Sequence, residues 1–139
     1  MPQLPRVIRK PHGVQYSGVV TSKTGVGYLV GVGGAVTQIT NRTTGVTLHA
    51  ITGAITTNNA ALAAEATADF IVTNNKVELG DVVAISVQSG SNGGGTLVNV
   101  AGVAAGSFTI RVHNGNVAAG TAETGAIIIN FALIKAVSA

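Results

Sequence analysis

The sequence predicts an all-β protein, an antiparallel β-sandwich or jelly roll of about eight short strands that follows an extended N-terminal arm. Apolar and polar residues alternate with a period of two from residue 33 onward, and β-branched residues are frequent in these runs. Clusters of Gly, Asn and Ser separate the runs at spacings of about 8–15 residues, which is typical of sandwiches. The length of 139 residues predicts one domain.

The first predicted element is an extended basic arm over residues 1–24. Its four positive residues have no acidic counterpart, whereas the rest of the chain has four positive and five negative residues. All three prolines of the chain also lie in the arm, where they disfavour a helix. A glycine-rich hinge is predicted over residues 25–34, and a jelly-roll-like β-sandwich body over residues 35–139.

Eight runs in the body are predicted to be strands. Their alternation is clearest where Phe108, Ile110 and Val112 are separated by polar residues, so that the three apolar side chains share one face. The runs are residues 35–40, 45–50, 51–56, 66–72, 82–87, 96–101, 107–112 and 126–135. Residues 59–66 have high helix propensity, and they are predicted to form a loop, with a short helical turn as the alternative.

The last run, residues 126–135, is apolar on both faces over most of its length. A strand that is covered on both sides lies either at the centre of a sheet or in a subunit interface. Only 9% of the residues are charged, and a small domain that stays alone in solution needs more surface charge. We therefore predict self-association as a dimer or trimer. The predicted self-association residues are Ile127, Ile129, Phe131 and Leu133.

Residues with catalytic or metal-binding chemistry are few and scattered. The chain has no cysteine, and His12, His49 and His113 lack the spacing of a metal site. The glycines of residues 25–34 precede neither a helix pattern nor a G-K-[ST] sequence, so they do not predict a phosphate loop. No G-x-S-x-G sequence indicates a hydrolase nucleophile. We predict no catalytic, cofactor-binding or metal-binding residue, no cofactor and no enzyme activity.

Two classes of partner are disfavoured. The longest apolar run, residues 126–134, has nine residues and includes Asn130, whereas a membrane helix needs about 20. The residues after Met1 do not resemble the apolar segment of a secretory leader. The basic residues of the arm are dispersed and lack interleaved aromatic residues, which makes a weak footprint for nucleic acid. We expect neither a membrane nor a nucleic acid as partner.

Several segments of the body together resemble a module of tailed-phage virion structural proteins. Residues 31–48 contain a glycine run, then V-T-Q, a polar pair and T-G-V-T-L, in that order. The resemblance continues through residues 53–62, 70–74, 104–108 and 129–135. It covers roughly residues 25–139, and it does not extend to residues 1–24.

This resemblance implies a virion structural protein, and the short length resembles that of a head decoration, or cement, protein. Such proteins are β-sandwiches that bind the outside of the capsid shell as oligomers. The expected function is therefore to bind the phage major capsid protein and to stabilise the expanded, DNA-filled head. The expected location is the outer surface of the phage head, after synthesis in the cytoplasm of the bacterial host.

The basic arm is expected to lie along the shell. Arg6, Arg9 and Lys10 are expected to meet acidic groups there. Val7 and Ile8 are expected to fill shallow pockets beside them. The alternative for such an arm is a solvated, mobile terminus.

Two other functions remain open from the sequence. One is a phage fibre or receptor-binding module that recognises host surface glycans, and the other is a small non-viral hydrolase or lectin. Sugar faces usually stack on aromatic side chains, which make up only 4% of the chain. Because Tyr16 and Tyr28 are its only tyrosines and it has no tryptophan, glycan binding is disfavoured.

Overall fold

The computed structural model describes residues 7–10, 13–16, 22–23, 25–92, 94–118 and 120–135. Within these ranges the chain forms strands and no helix, and eight of the strands build two packed sheets, which confirms the predicted all-β sandwich. The strands, in chain order, are β1 (Val7–Lys10), β2 (Gly13–Tyr16), β3 (Gly33–Thr37), β4 (Val46–Thr47), β5 (Thr52–Thr56), β6 (Thr67–Thr73), β7 (Val82–Ser89), β8 (Thr96–Ala104), β9 (Ser107–Asn114) and β10 (Ile128–Ile134).

Both sheets of the sandwich are mixed. The first has the strand order β3-β5-β10-β7, and the second has the order β4-β6-β9-β8. β3 runs parallel to β5, and β4 runs parallel to β6, while the other neighbours are antiparallel. The parallel pairs arise because the chain changes sheet after each strand from β3 to β7, so that β3 and β5 are joined by a crossover. The two parallel pairs differ from the prediction, which was a purely antiparallel sandwich or jelly roll.

Each of the eight predicted runs overlaps one strand of the sandwich. The second run differs most, because β4 has two residues and the chain then turns, with the Ala50 N–H donating to the Leu48 carbonyl oxygen at 3.0 Å. Residues 59–66 form a loop with no helical turn. There Leu62 and Glu123 exchange two backbone hydrogen bonds of 2.9 Å. The N–H and carbonyl groups of Leu62 are therefore paired across the end of the sandwich and do not form helical hydrogen bonds.

The core lies between the two sheets and consists mainly of the inward residues of the central strands. Phe108 on β9 and Phe131 on β10 meet there, with ring centroids 5.4 Å apart. The four residues predicted for self-association, Ile127, Ile129, Phe131 and Leu133, are at most 2% exposed. Their assignment is corrected, because burial in the core of their own chain leaves none of them available to a second copy. β10 is a central strand between β5 and β7, which was the first of the two positions that its pattern indicated.

Within the predicted arm, residues 7–10 and 13–16 form an antiparallel pair of strands. β1 pairs with β2 from Val7 opposite Tyr16 to Lys10 opposite Gly13. Of the predicted capsid-binding residues, Arg6 lies outside the described residues and the others form β1.

One glycine is required by close packing inside the first sheet. A Cβ on Gly53 would lie 2.6 Å from the Gly34 carbonyl oxygen and 3.0 Å from the Phe131 ring. We expect Gly53→Ala to lower the free energy of unfolding by about 1–3 kcal/mol, because the added methyl group overpacks the core. The matched control is Gly102→Ala on β8, where a Cβ meets nothing within 4 Å. Urea denaturation checks this, and equal stabilities of the two variants would contradict it.

Candidate docking surface

One side of the first sheet faces away from the core, and we call its outward residues the uncharged face. Residues alternate between the core and the outer side along each strand, so the outward positions follow from the register. The uncharged face comprises Gly33, Ala35, Thr37, Thr52, Ala54, Thr56, Val82, Ala84, Ser86, Ile128, Asn130, Ala132 and Ile134. Most of these residues are small, and none is charged.

The small side chains leave a shallow depression at the centre of the uncharged face. It has a volume of about 580 Å³ and extends over all four strands, from Gly33 past Ala54 and Asn130 to Ser86. The Thr52 hydroxyl donates a hydrogen bond of 2.8 Å to a backbone carbonyl oxygen of β10, so it is already partnered. Because the face holds no titratable side chain, it offers contact area and no acid–base chemistry.

The segment that leads into the first sheet is fixed at the end of β10. The Tyr28 hydroxyl donates a hydrogen bond to the carbonyl oxygen of Leu133. Leu29 and Val30 beside it are exposed and add apolar surface at this point. The predicted hinge over residues 25–34 is therefore held at one position, and its last two glycines belong to β3. This segment connects the predicted arm to the β3 side of the first sheet.

The charged side chains of the body are largely paired with one another. On the outer face of the second sheet, Arg111 donates two hydrogen bonds to Asp69, at 2.8 and 2.7 Å, and these lower the pKa of Asp69 and raise that of Arg111. Beyond β10, the Lys135 ammonium lies 2.6 Å from the Asp81 carboxylate and 3.2 Å from that of Glu78. The bond to Asp81 raises the pKa of Lys135. Because most charges of the body are paired with a neighbour of opposite sign, we expect the electrostatic potential around the body to be weaker than that around the basic arm.

A buried polar cluster closes one end of the sandwich. Arg42 lies in the β3–β4 loop and is 4% exposed. Its guanidinium donates to the carbonyl oxygens of Ala60, Glu123 and Gly125, and to the Thr57 hydroxyl. Burial lowers the pKa of Arg42, and the negative charge of Glu123 opposes this effect. One side chain therefore ties together three segments that are distant in the sequence.

Glu123 is the carboxylate of this cluster, and it is fully buried. Its oxygens accept hydrogen bonds from the Ser91 and Thr96 hydroxyls, at 2.6 and 2.5 Å, and from the backbone N–H groups of Asn92 and Gly125. Burial acts to raise the pKa of Glu123, but these hydrogen bonds together outweigh burial and lower the pKa to about 2. An ionised carboxylate with this many donors suits a structural role better than that of a general acid or base.

The sequence-based prediction missed both the uncharged face and the buried cluster. A signal for the face was present, because Ile128, Asn130 and Ala132 alternate with the predicted self-association residues on the same strand. The cluster had no local signal, because Glu123 meets hydroxyl donors at Ser91 and Thr96, far away in the sequence.

His49 and His113 have structural partners, and His12 lies outside the described residues. The Asn75 N–H donates to Nδ1 of His49 at 3.1 Å, and Nδ1 of His113 lies 3.2 Å from the Thr67 hydroxyl. Among the residues that the structure describes, no three His, Asp or Glu side chains are placed to hold a metal ion. In the same ranges, no helix is long and apolar enough to cross a membrane. Comparisons with protein-family models, curated proteins and solved structures found no match to this chain.

Proposed function

We propose that this chain is a bacteriophage capsid decoration, or cement, protein that binds the outer surface of the major capsid protein shell and stabilises the expanded, DNA-filled head. The uncharged face is the observation that carries the proposal. A face without charge can lie against another protein without the cost of removing charged groups from water. The resemblance of residues 31–48 to phage virion proteins supports the same conclusion.

The stabilisation of the head follows from binding linkage. A protein that binds the assembled shell and not its separated subunits stabilises the shell in proportion to the occupancy of its sites. DNA inside the head pushes the capsomers apart, and a subunit that contacts two capsomers opposes their separation. The proposed site of action is the outer surface of the head, and the protein is proposed to act there as a dimer or trimer.

The basic arm is proposed to supply a second contact with the shell. Arg6, Arg9 and Lys10 provide positive charge for acidic groups of the capsid protein, and Val7 and Ile8 provide apolar contacts. Ordering a free chain costs about 1–2 kcal/mol per residue, and pairing of β1 with β2 reduces the part of this cost that remains at binding. An arm joined to a body that is already bound binds at a high effective concentration.

Binding to purified expanded heads tests this proposal. The probe is the head assembled from the major capsid protein of the same phage, and bound protein is measured by co-sedimentation. We expect saturable binding of the unaltered chain, and strongly weakened binding of Ala54→Arg, which places a charge at the centre of the uncharged face. The matched control is Ile71→Arg, which places the same charge on the outer face of the second sheet at a position 54% exposed.

The contribution of the arm is tested in the same assay. A full-length variant with Arg6→Ala, Arg9→Ala and Lys10→Ala is expected to bind at least about 100-fold more weakly, because it loses the second contact. Unaltered chain that fails to bind heads would overturn the proposed function. Unchanged binding of Ala54→Arg would overturn the role of the uncharged face. Binding to host glycans, with no binding to heads, would favour the receptor-binding alternative.

A further inference from the structure

On one side of the sandwich, β7 and β8 are the edge strands of the two sheets, and parts of the two strands approach each other. Their inward residues form what we call the open seam, which consists of Val83, Ile85, Val87, Val98, Val100 and Val103. None of the six is buried, and Val87 is 39% exposed although it points toward the core. The inward residues of the adjacent central strands β9 and β10 are at most 2% exposed. Apolar core surface therefore reaches solvent along this side.

The sequences of β7 and β8 also contain no feature that would prevent their backbones from pairing with another chain. β7 has eight residues and β8 has nine, and within the described residues each pairs with a neighbour on one side only. Neither strand contains a charged residue or a proline. Edge strands usually carry charges or prolines, or are short, because these features prevent pairing with another chain. The edge strands on the opposite side are shorter, with five residues in β3 and two in β4.

We infer that the open seam is a self-association surface at which two copies of this chain pack about a two-fold axis. An axis perpendicular to the sheets places β7 antiparallel to the partner's β7 and β8 antiparallel to the partner's β8. Both sheets then continue from one copy into the other, and the two seams close into one apolar core. An uncharged apolar seam is complementary to itself, since it presents no charge that needs an opposite charge.

The position of the chain's own N-terminal segment indicates that a second copy, and not the basic arm, covers the open seam. The segment before Gly33 enters the first sheet at β3, which is the opposite edge from β7. Within the described residues, the strands of the arm pair with each other.

The size of the interface sets its expected strength. A strand of eight residues is about 26 Å long, and two packed sheets lie about 10 Å apart. With side chains included, the patch is roughly 500 Å² per copy, so about 1,000 Å² is buried in total, at the lower limit for specific interfaces. Backbone hydrogen bonds add to this contact. We therefore expect a dimer that dissociates on dilution.

Sedimentation velocity of the full chain over a range of concentrations tests this inference. At the highest concentrations we expect a mass of twice 13.8 kDa. Val87→Lys is expected to sediment as one copy at every concentration, because closure of the seam would bury its ammonium group. Leu97→Lys, which charges the edge strand β8 at a position 63% exposed, is expected to weaken the dimer as well. The matched control Ile71→Lys is expected to remain dimeric.

Hydrogen exchange identifies the surface directly. Amides of β7 and β8 are expected to exchange faster in Val87→Lys than in the unaltered dimer, whereas those of β6 are expected to exchange equally in both. A single-copy mass of the unaltered chain at all concentrations, a three-copy mass, or a dimer that survives both lysine substitutions would overturn the inference. Since none of these measurements involves heads, a dimer that fails to bind heads would overturn the proposed function alone.

Discussion

Replacing Glu123 by alanine is expected to lower the free energy of unfolding by about 3–5 kcal/mol. The substitution removes the acceptor of the Ser91 and Thr96 hydroxyls and of two backbone N–H groups, all at the closed end of the sandwich. Buried donors without an acceptor each cost about 1–3 kcal/mol. The positive charge of buried Arg42 also loses its negative neighbour.

Urea denaturation measures this effect, and Glu65→Ala is the control for loss of a carboxylate at an exposed position. We expect the control to change stability by less than about 0.5 kcal/mol. A similar small loss for Glu123→Ala would show that the buried cluster contributes little. Retention of the β-sheet circular dichroism signal before denaturation distinguishes lower stability from failure to fold.

Acidification is expected to destabilise the unaltered protein by about 3 kcal/mol through Glu123, at about 1.4 kcal/mol for each pKa unit. The pKa of Glu123 is about 2 in the folded protein, compared with 4.5 as the ordinary value. The unfolded chain therefore binds a proton at higher pH than the folded chain does. This contribution to stability is fully present above pH 4.5 and is lost as the pH falls toward 2.

Stability measured in urea from pH 7 to pH 2 checks this expectation. Glu123→Gln has no carboxylate at this position, so it is expected to be less stable at pH 7 and to lose less stability on acidification. Asp69 contributes to the remaining slope, since its hydrogen bond with Arg111 also lowers its pKa, although both side chains are exposed. Equal slopes for Glu123→Gln and the unaltered protein would contradict the assignment to Glu123.

The strands could be predicted from the sequence because alternation reports which residues face a core. Each predicted run overlaps a strand, and Phe108, Ile110 and Val112, which alternate with polar residues, all lie in the core. Alternation does not report which strand lies beside which, and the parallel pairs β3–β5 and β4–β6 were therefore not predicted. The choice of partner depends on the crossovers, which leave no local pattern.

The apolar run of the last strand predicted the position of the strand in its sheet but not which of its residues are available to a partner. Its apolar run correctly indicated a central strand, but the residues chosen for self-association were those that fill the core. The outward residues Ile128, Asn130 and Ala132 belong to the uncharged face. A run that is apolar on both faces does not show which face the chain buries by itself, because that depends on the opposing sheet.

The proposed function depends on the uneven distribution of charge along the chain. The arm contributes positive charge, while most charges of the body are paired with one another and none lies on the uncharged face. The uncharged face and the open seam lie on different parts of the sandwich, so the proposed contacts with a shell and with a second copy are compatible with each other.

Electron cryomicroscopy of expanded heads incubated with a saturating amount of this protein tests the proposed function most directly. We expect additional density of the size of the sandwich at regular positions on the outer surface, with the first sheet nearest the shell. A reconstruction identical to that of heads without the protein would contradict the proposal.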